Sequence, residues 1–171
     1  MKSIAFIGMM GTGKTVTSRL VAEKLMMNFL DIDDCIVAKM GMPISVAFLQ
    51  LGEKTFRDYE YDTICSIVWQ PNFVISCGGG VPLFERNMEL IKDFVKVRLT
   101  AEPEEIYRRT KDDFARPLLK DNSPTKIAQI ISERENAYAQ HADITVSTDG
   151  KTIEQVADEI IEQLKAKGFL D

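Results

Sequence analysis

A chain of 171 residues, 45% hydrophobic and 27% charged, holds enough apolar mass for one substantial core and too little for two, so a single domain (1–171) is expected. The formal net charge of −5 argues against a nucleic-acid binder, because phosphate backbones are held by a surplus of Lys and Arg; a few cations gathered in one cleft can still hold a small anion. Met1 to Gly8 carries no basic leader, and no segment approaches the roughly 18 uninterrupted apolar residues of a spanning helix, so a soluble, unprocessed, cytoplasmic protein that binds no membrane is expected. Cys35, Cys65 and Cys77 are odd in number, widely spaced and flanked by apolar residues, the pattern of reduced, buried thiols.

Short apolar runs alternate with longer helical patterns, without repeats, low-complexity tracts or linkers. The first strand, Ser3 to Ile7, runs into Gly8-Met9-Met10-Gly11-Thr12-Gly13-Lys14-Thr15, which matches G-x-x-x-x-G-K-[ST]. An amphipathic helix carrying Val16, Leu20, Val21 and Leu25 follows. Strand, glycine loop and helix in that order make a phosphate cradle. The loop amides around Gly11, Thr12 and Gly13 turn towards phosphate oxygens, Lys14 reaches the β- and γ-phosphates, and the Thr15 hydroxyl ligates Mg²⁺.

The second strand, Asn28 to Ile32, leads into Asp31-Ile32-Asp33-Asp34. If this segment stays extended, Asp31 and Asp33 point in different directions, one towards a metal and the other towards an acceptor. The competing reading makes Asp33 or Asp34 an acidic N-cap for the helix around Cys35 to Met40. Pro43 begins the next helix and Gly52 closes it. Gly52 to Arg57 then opens another, where a cation near the helix start opposes the dipole and so favours an anionic partner for Arg57. A solvated surface pairing with Glu53 or Glu60 is the alternative.

The third strand, Phe73 to Cys77, exits into Gly78-Gly79-Gly80, where P-loop enzymes ordinarily carry an acidic residue. Three glycines in a row indicate close approach of backbone to a ligand, or a sharp exit from the strand. With no carboxylate there, Asp31 is the natural substitute near the metal. Val95 to Leu99 is the fourth strand, and Pro103 sits in the helical turn that follows. A polar stretch, Lys111 to Ser123, separates two helices and contains Arg116-Pro117-Leu118-Leu119; it reads as a lid, with a plain surface loop as the alternative. Ser123 caps the next helix and Pro124 opens it, while His141 lies at a helix end outside every motif and is structural. After the fifth strand, Ile144 to Val146, Thr152 and Gln155 fit a capping box, and Val156, Ile160, Ile161 and Leu164 form a stripe that ends near Gly168 and packs on the sheet. The alternation specifies an α/β fold, a three-layer sandwich with a five-stranded, mostly parallel sheet flanked by helices.

The P-loop, Asp31-x-Asp33, Gly52-Glu53-x-x-Phe56-Arg57, Gly78-Gly79-Gly80, Arg116-Pro117-Leu118-Leu119 and Arg134-x-x-x-Tyr138, in this order across nearly the whole chain, together resemble the shikimate kinase family. That resemblance implies a nucleoside-monophosphate-kinase-like P-loop fold with a mobile lid at about 111–123 and a shikimate-binding region at about 33–61. It implies transfer of the γ-phosphate of ATP to the 3-hydroxyl of shikimate, with Mg²⁺ as cofactor and ATP and shikimate as the partners. Position by position, it makes Asp33 the carboxylate that hydrogen-bonds the shikimate hydroxyls, with backbone contacts from Gly79 and Gly80. Arg57 and Arg134 become the pair that grips the shikimate carboxylate, a bidentate geometry that Lys reproduces poorly. Arg116 is similar to the lid arginine near the transferring phosphate, and Arg109 to the residue that stacks on adenine.

Phosphoryl transfer depends chiefly on alignment and charge neutralisation. The expected apparatus is therefore Lys14, the P-loop amides, Mg²⁺ held through Thr15 with Asp31 one layer further out, and Arg116. Asp33 orients the attacking hydroxyl and is the candidate to accept its proton. The chain departs from the family pattern in carrying Ile36-Val37 where members often have Ile-Glu, and in the two acids of Lys111-Asp112-Asp113; the adenine loop near Ser147 to Lys151 carries no assignment. A monomer is expected. Two other readings share the P-loop: a kinase of another polyol acid such as gluconate, which would not need the Arg57 and Arg134 pair, and a non-catalytic nucleotide-binding homologue, which would be expected to lack Lys14, Asp33 or Arg116.

Overall fold

Five short runs rich in consecutive apolar residues line up as the strands of one sheet: β1 (Ile4–Gly8), β2 (Asn28–Asp31), β3 (Phe73–Ser76), β4 (Val95–Thr100) and β5 (Ile144–Ser147). The computed structural model describes residues 1–113 and 123–170. Strand order is β2-β3-β1-β4-β5, every neighbouring pair is parallel, and each strand lies within one residue of its expected bounds. All five residues of the central β1 are buried, as a strand covered by helices on both faces must be.

The alternation of side chains along β1 divides the core in two. Ile4 and Phe6 point into a layer completed by α1 (Lys14–Lys24) and α7 (Ile153–Ala166), where Val21, Ala22, Val156, Ala157, Ile160 and Leu164 pack. Ala5 and Ile7 point the other way, against Ile36 of α2 (Ile32–Met40), Phe56 and Ile64 of α3 (Ile44–Ile67) and Met88 of α4 (Glu85–Leu90). A third cluster joins Met9, Ile106 of α5 (Pro103–Thr110) and Ile127, Ile130 and Tyr138 of α6 (Pro124–His141).

Local chemistry sets the helix ends. Ser123 accepts from the Lys126 amide at 3.1 Å, and Thr152 and Gln155 satisfy each other's backbone amides in a full capping box. Gly168 follows α7 at φ 72°, the left-handed turn that lets Phe169 N–H reach the Leu164 carbonyl. Pro43 is the N-cap of α3, and Gly52, at φ 80°, ψ 163°, leaves helical geometry inside that span, so the helix begun at Pro43 closes there as expected and a second opens beyond the kink.

Two expectations are corrected here. The apolar residues named for the amphipathic helix after the P-loop do not all lie on its buried face: Val16 is 49% exposed, because α1 turns Thr17, Ser18, Val21 and Ala22 inward. Cys77 is buried, but Cys35 and Cys65 are only half-buried. Each lies at the margin of a helix face whose centre is taken by Ile36 or Ile64. Among the described residues no single helix is long and apolar enough to cross a membrane.

The order of the strands decides where a ligand can sit. Chain connections diverge on either side of β1, and the crevice at the carboxyl ends of the strands is the ligand position of open parallel sheets. The P-loop after β1, Asp31 at the end of β2 and the three glycines after β3 all lie at that edge.

Candidate active site

The P-loop wraps into the N-terminus of α1. Gly11 has φ 80°, and a Cβ there would lie 2.8 Å from Thr110 Cγ2, so α5 presses against a loop that only glycine can form. Thr12 is buried, and its hydroxyl donates to the Met9 carbonyl at 2.7 Å. Lys14 Nζ donates to the carbonyls of Gly8 and Met9, each at 2.9 Å, which fixes the ammonium across the loop.

Beside it, Thr15 Oγ1 donates to Asp31 Oδ2 at 2.6 Å and lies 3.4 Å from Ser76 Oγ. The other Asp31 oxygen accepts the amides of Asp33 at 2.9 Å and Asp34 at 3.2 Å. The segment therefore does not stay extended: β2 stops at Asp31, and α2 starts at Ile32. The N-cap is Asp31, not Asp33 or Asp34. One carboxylate thus caps α2 with one oxygen and holds the P-loop threonine with the other. Two hydroxyls and a carboxylate form an oxygen-only donor set that suits a small hard dication. No group of three or more His, Cys, Asp or Glu placed to hold a metal ion occurs among the described residues.

Asp33, turned into the first helical turn, faces the glycine loop: a Cβ at Gly78 would lie 2.8 Å from Asp33 Oδ1 and 3.2 Å from Glu60 Oε2. Arg57, the residue expected either to seek an anion or to sit solvated, is 6% exposed. Its Nη1 donates to both Glu60 oxygens at 3.2 Å and its Nη2 to Glu53 at 3.4 Å. The guanidinium is boxed by the rings of Phe48, Phe56 and Phe84, at 5.7, 5.4 and 5.5 Å. A pairing with Glu53 and Glu60 is present, then, but the surface setting is not, since these rings exclude water. Burial pushes the Glu60 carboxyl up to about 7, with Arg57 pulling it back down and Asp33 adding to the rise. Among the described residues no partner reaches Arg57 Nε.

On the opposite wall, Arg134 of α6 reaches the same glycine loop. Its Nη1 donates to Tyr138 Oη at 3.5 Å, and a Cβ on Gly79 would stand 3.4 Å from that nitrogen. Arg109 lies at the P-loop end, where Glu105 holds Nε at 2.8 Å while Nη1 donates to the Gly11 carbonyl at 3.2 Å and to Thr148 Oγ1 at 3.0 Å.

One cavity of about 710 Å³ connects these groups. Every expected site residue within the described parts lines it, from Gly11 to Arg134. Arg116 and most of the 111–123 stretch lie outside the described residues. His141 does not line the cavity and lies 3.5 Å from Glu85. Sequence reasoning passed over Ser76, Thr148 and the Tyr138 hydroxyl. Ser76 sits one residue before the place searched for an acid, and a hydroxyl in a buried strand gives no pattern of its own. Thr148 was within reach, inside the unassigned loop after β5.

The comparisons agree with this geometry. The family model described as "Shikimate kinase" matches residues 10–165. The shikimate kinase of Thermodesulfovibrio yellowstonii is 42% identical over 165 residues, 95% of each chain; that of Moorella thermoacetica is 39% identical over 96% of this chain and 95% of its own. Among solved structures, a shikimate kinase from Acinetobacter baumannii in complex with shikimate superposes with TM-score 0.94 at 30% identity, covering 99% of this chain and 96% of that one. The Aquifex aeolicus shikimate kinase gives 0.84 at 31% identity, with 96% and 97% coverage.

Proposed function

The chain belongs to the shikimate kinase family, and from that membership we propose that it transfers the γ-phosphate of ATP to the 3-hydroxyl of shikimate, giving shikimate 3-phosphate and ADP. The observation that carries the proposal is the two-ended chemistry of one cavity: a P-loop at one end, and at the other a carboxylate, Asp33, facing arginines at positions 57 and 134. A hydroxylated carboxylic acid complements that second end, its carboxylate to the guanidinium groups and its hydroxyls to Asp33.

In the proposed reaction Lys14, held across the loop by the Gly8 and Met9 carbonyls, meets phosphate oxygens, a pairing of opposite charges. Arg57 and Arg134 hold the acceptor by its carboxylate, which aims the opposite side of the ring at the γ-phosphate. Asp33 accepts the hydrogen bond of the attacking hydroxyl and orients it; in a loose transition state that orientation outweighs base strength. Arg116 contributes positive charge near the transferring group, and Arg109 packs against the adenine. Mg²⁺, held by Thr15 with Asp31 and Ser76 behind it, would neutralise charge on the phosphates. We assign the activity to one domain and a monomer in the cytoplasm, where ATP is supplied.

An ADP-release assay offering shikimate, gluconate and nucleoside monophosphates in turn tests the proposal. Turnover is expected with shikimate alone, and its absence at every Mg²⁺ concentration would sink the assignment. Arg57→Ala is expected to raise the KM for shikimate by two orders of magnitude or so, the loss of one partner in a buried charged contact, while ATP binding is almost unchanged. Equal loss of both would contradict the role given to Arg57.

A further inference from the structure

The last motif of the chain, Arg134-x-x-x-Tyr138, contains a tyrosine that the proposed reaction does not use. Tyr138 is 1% exposed and sits one helical turn beyond Arg134, on the same side of α6. Its hydroxyl donates to the Gly79 carbonyl at 2.8 Å. A phenol has a single proton to give, so this bond leaves the oxygen lone pairs to receive Arg134 Nη1 at 3.5 Å. The ring itself is held in place by Arg98, whose guanidinium lies 5.8 Å from the ring centroid and is fixed by a two-point pair with Glu135, at 3.0 and 2.6 Å.

We infer that Tyr138 is a positioning residue for the acceptor: its hydroxyl ties the Arg134 guanidinium to the Gly79 carbonyl and so holds helix α6 and the glycine loop at one fixed separation. The inference rests on the reading that Arg134 grips the shikimate carboxylate. One consequence follows from the geometry. The Arg134 fork loses rotational freedom before substrate arrives, so less ordering is needed on binding. This acts on acceptor binding and does not touch the γ-phosphate.

Tyr138→Phe removes the hydroxyl and keeps the ring, so the core around Met9, Ile106 and Ile127 is retained. Steady-state kinetics on Tyr138→Phe, Arg134→Ala and the double variant provide the test. Tyr138→Phe is expected to raise the shikimate KM about tenfold, the scale of one hydrogen bond to a charged group, with kcat within twofold and the ATP KM unchanged. In the Arg134→Ala background the same change is expected to add less than twofold, because its partner has gone. A shikimate KM unaltered by Tyr138→Phe while Arg134→Ala raises it would overturn the inference and leave the carboxylate reading standing, as would effects that multiply independently in the double variant. An unaltered KM in Arg134→Ala would overturn both. A fall in kcat equal to the rise in KM, with a lowered thermal midpoint, would show a general structural role and also refute the inference.

Discussion

Gly80→Ala puts the confinement of Arg57 to a direct test. The Gly80 backbone, at φ −87° and ψ −12°, suits any residue, and in the unfolded chain the substitution stabilises by roughly 0.4–1 kcal/mol through lost freedom. Against this, the new methyl would overlap the Arg57 guanidinium. An arginine tip usually moves aside at little cost. Here three rings and Glu60, itself 0% exposed, surround it, so moving it breaks the contacts to both Glu60 oxygens. Hydrogen bonds to charged groups are worth about 1.5–3 kcal/mol, and the net loss of stability is expected at about 1–2 kcal/mol. For a domain of this size the thermal midpoint should fall by roughly 2–8 °C.

Function should suffer more than stability, since a displaced guanidinium no longer meets the acceptor: a shikimate KM raised about 100-fold is expected, near the cost of losing one partner of a buried charged contact. Gly79→Ala, whose methyl would stand 3.4 Å from Arg134 Nη1, calls for a shift of tenths of an ångström and should cost only a few-fold. Differential scanning calorimetry and initial-rate kinetics on the two variants measure both quantities. Gly80→Ala with unchanged KM and midpoint would refute the claim that packing confines Arg57.

Asp31→Asn separates the two tasks of that side chain: the capping oxygen survives, so stability should stay within about 1 kcal/mol of the parent, while the half-saturating Mg²⁺ concentration in the ADP-release assay rises. A Mg²⁺ titration identical to the parent's would remove Asp31 from the metal side. Glu60 sets a pH dependence. Its folded value of about 7 lies above the ordinary 4.5, so the native state holds a proton that the unfolded chain releases first; the stabilisation is complete below pH 4.5 and disappears as pH rises through 7. Urea titrations between pH 5 and 8 should show stability falling by on the order of 3 kcal/mol from this group, with a flatter profile in Glu60→Gln; parallel profiles would exclude Glu60 as the source.

Much of the molecule was legible before folding. The P-loop, all five strands, the Ser123 cap and the Thr152 capping box are written in residues a few positions apart, and local backbone chemistry is enough to produce them. The pairing of Arg57 with Glu60 was legible for the same reason, being separated by three positions on one helix. Its burial was not, because that depends on Phe48 and Phe84 arriving from elsewhere in the chain. The double duty of Asp31 needed the end of β2 to be brought beside Thr15, 16 positions away. Ser76 joined them only through the parallel register of β2 on β3. The bond from Tyr138 to Gly79 spans 59 positions. The sequence by itself determined the phosphate cradle, the sheet that carries it and the list of acceptor residues. Tertiary structure alone decided how those residues share partners, because hydrogen bonds across a parallel sheet edge join groups whose separation along the chain carries no periodic signal.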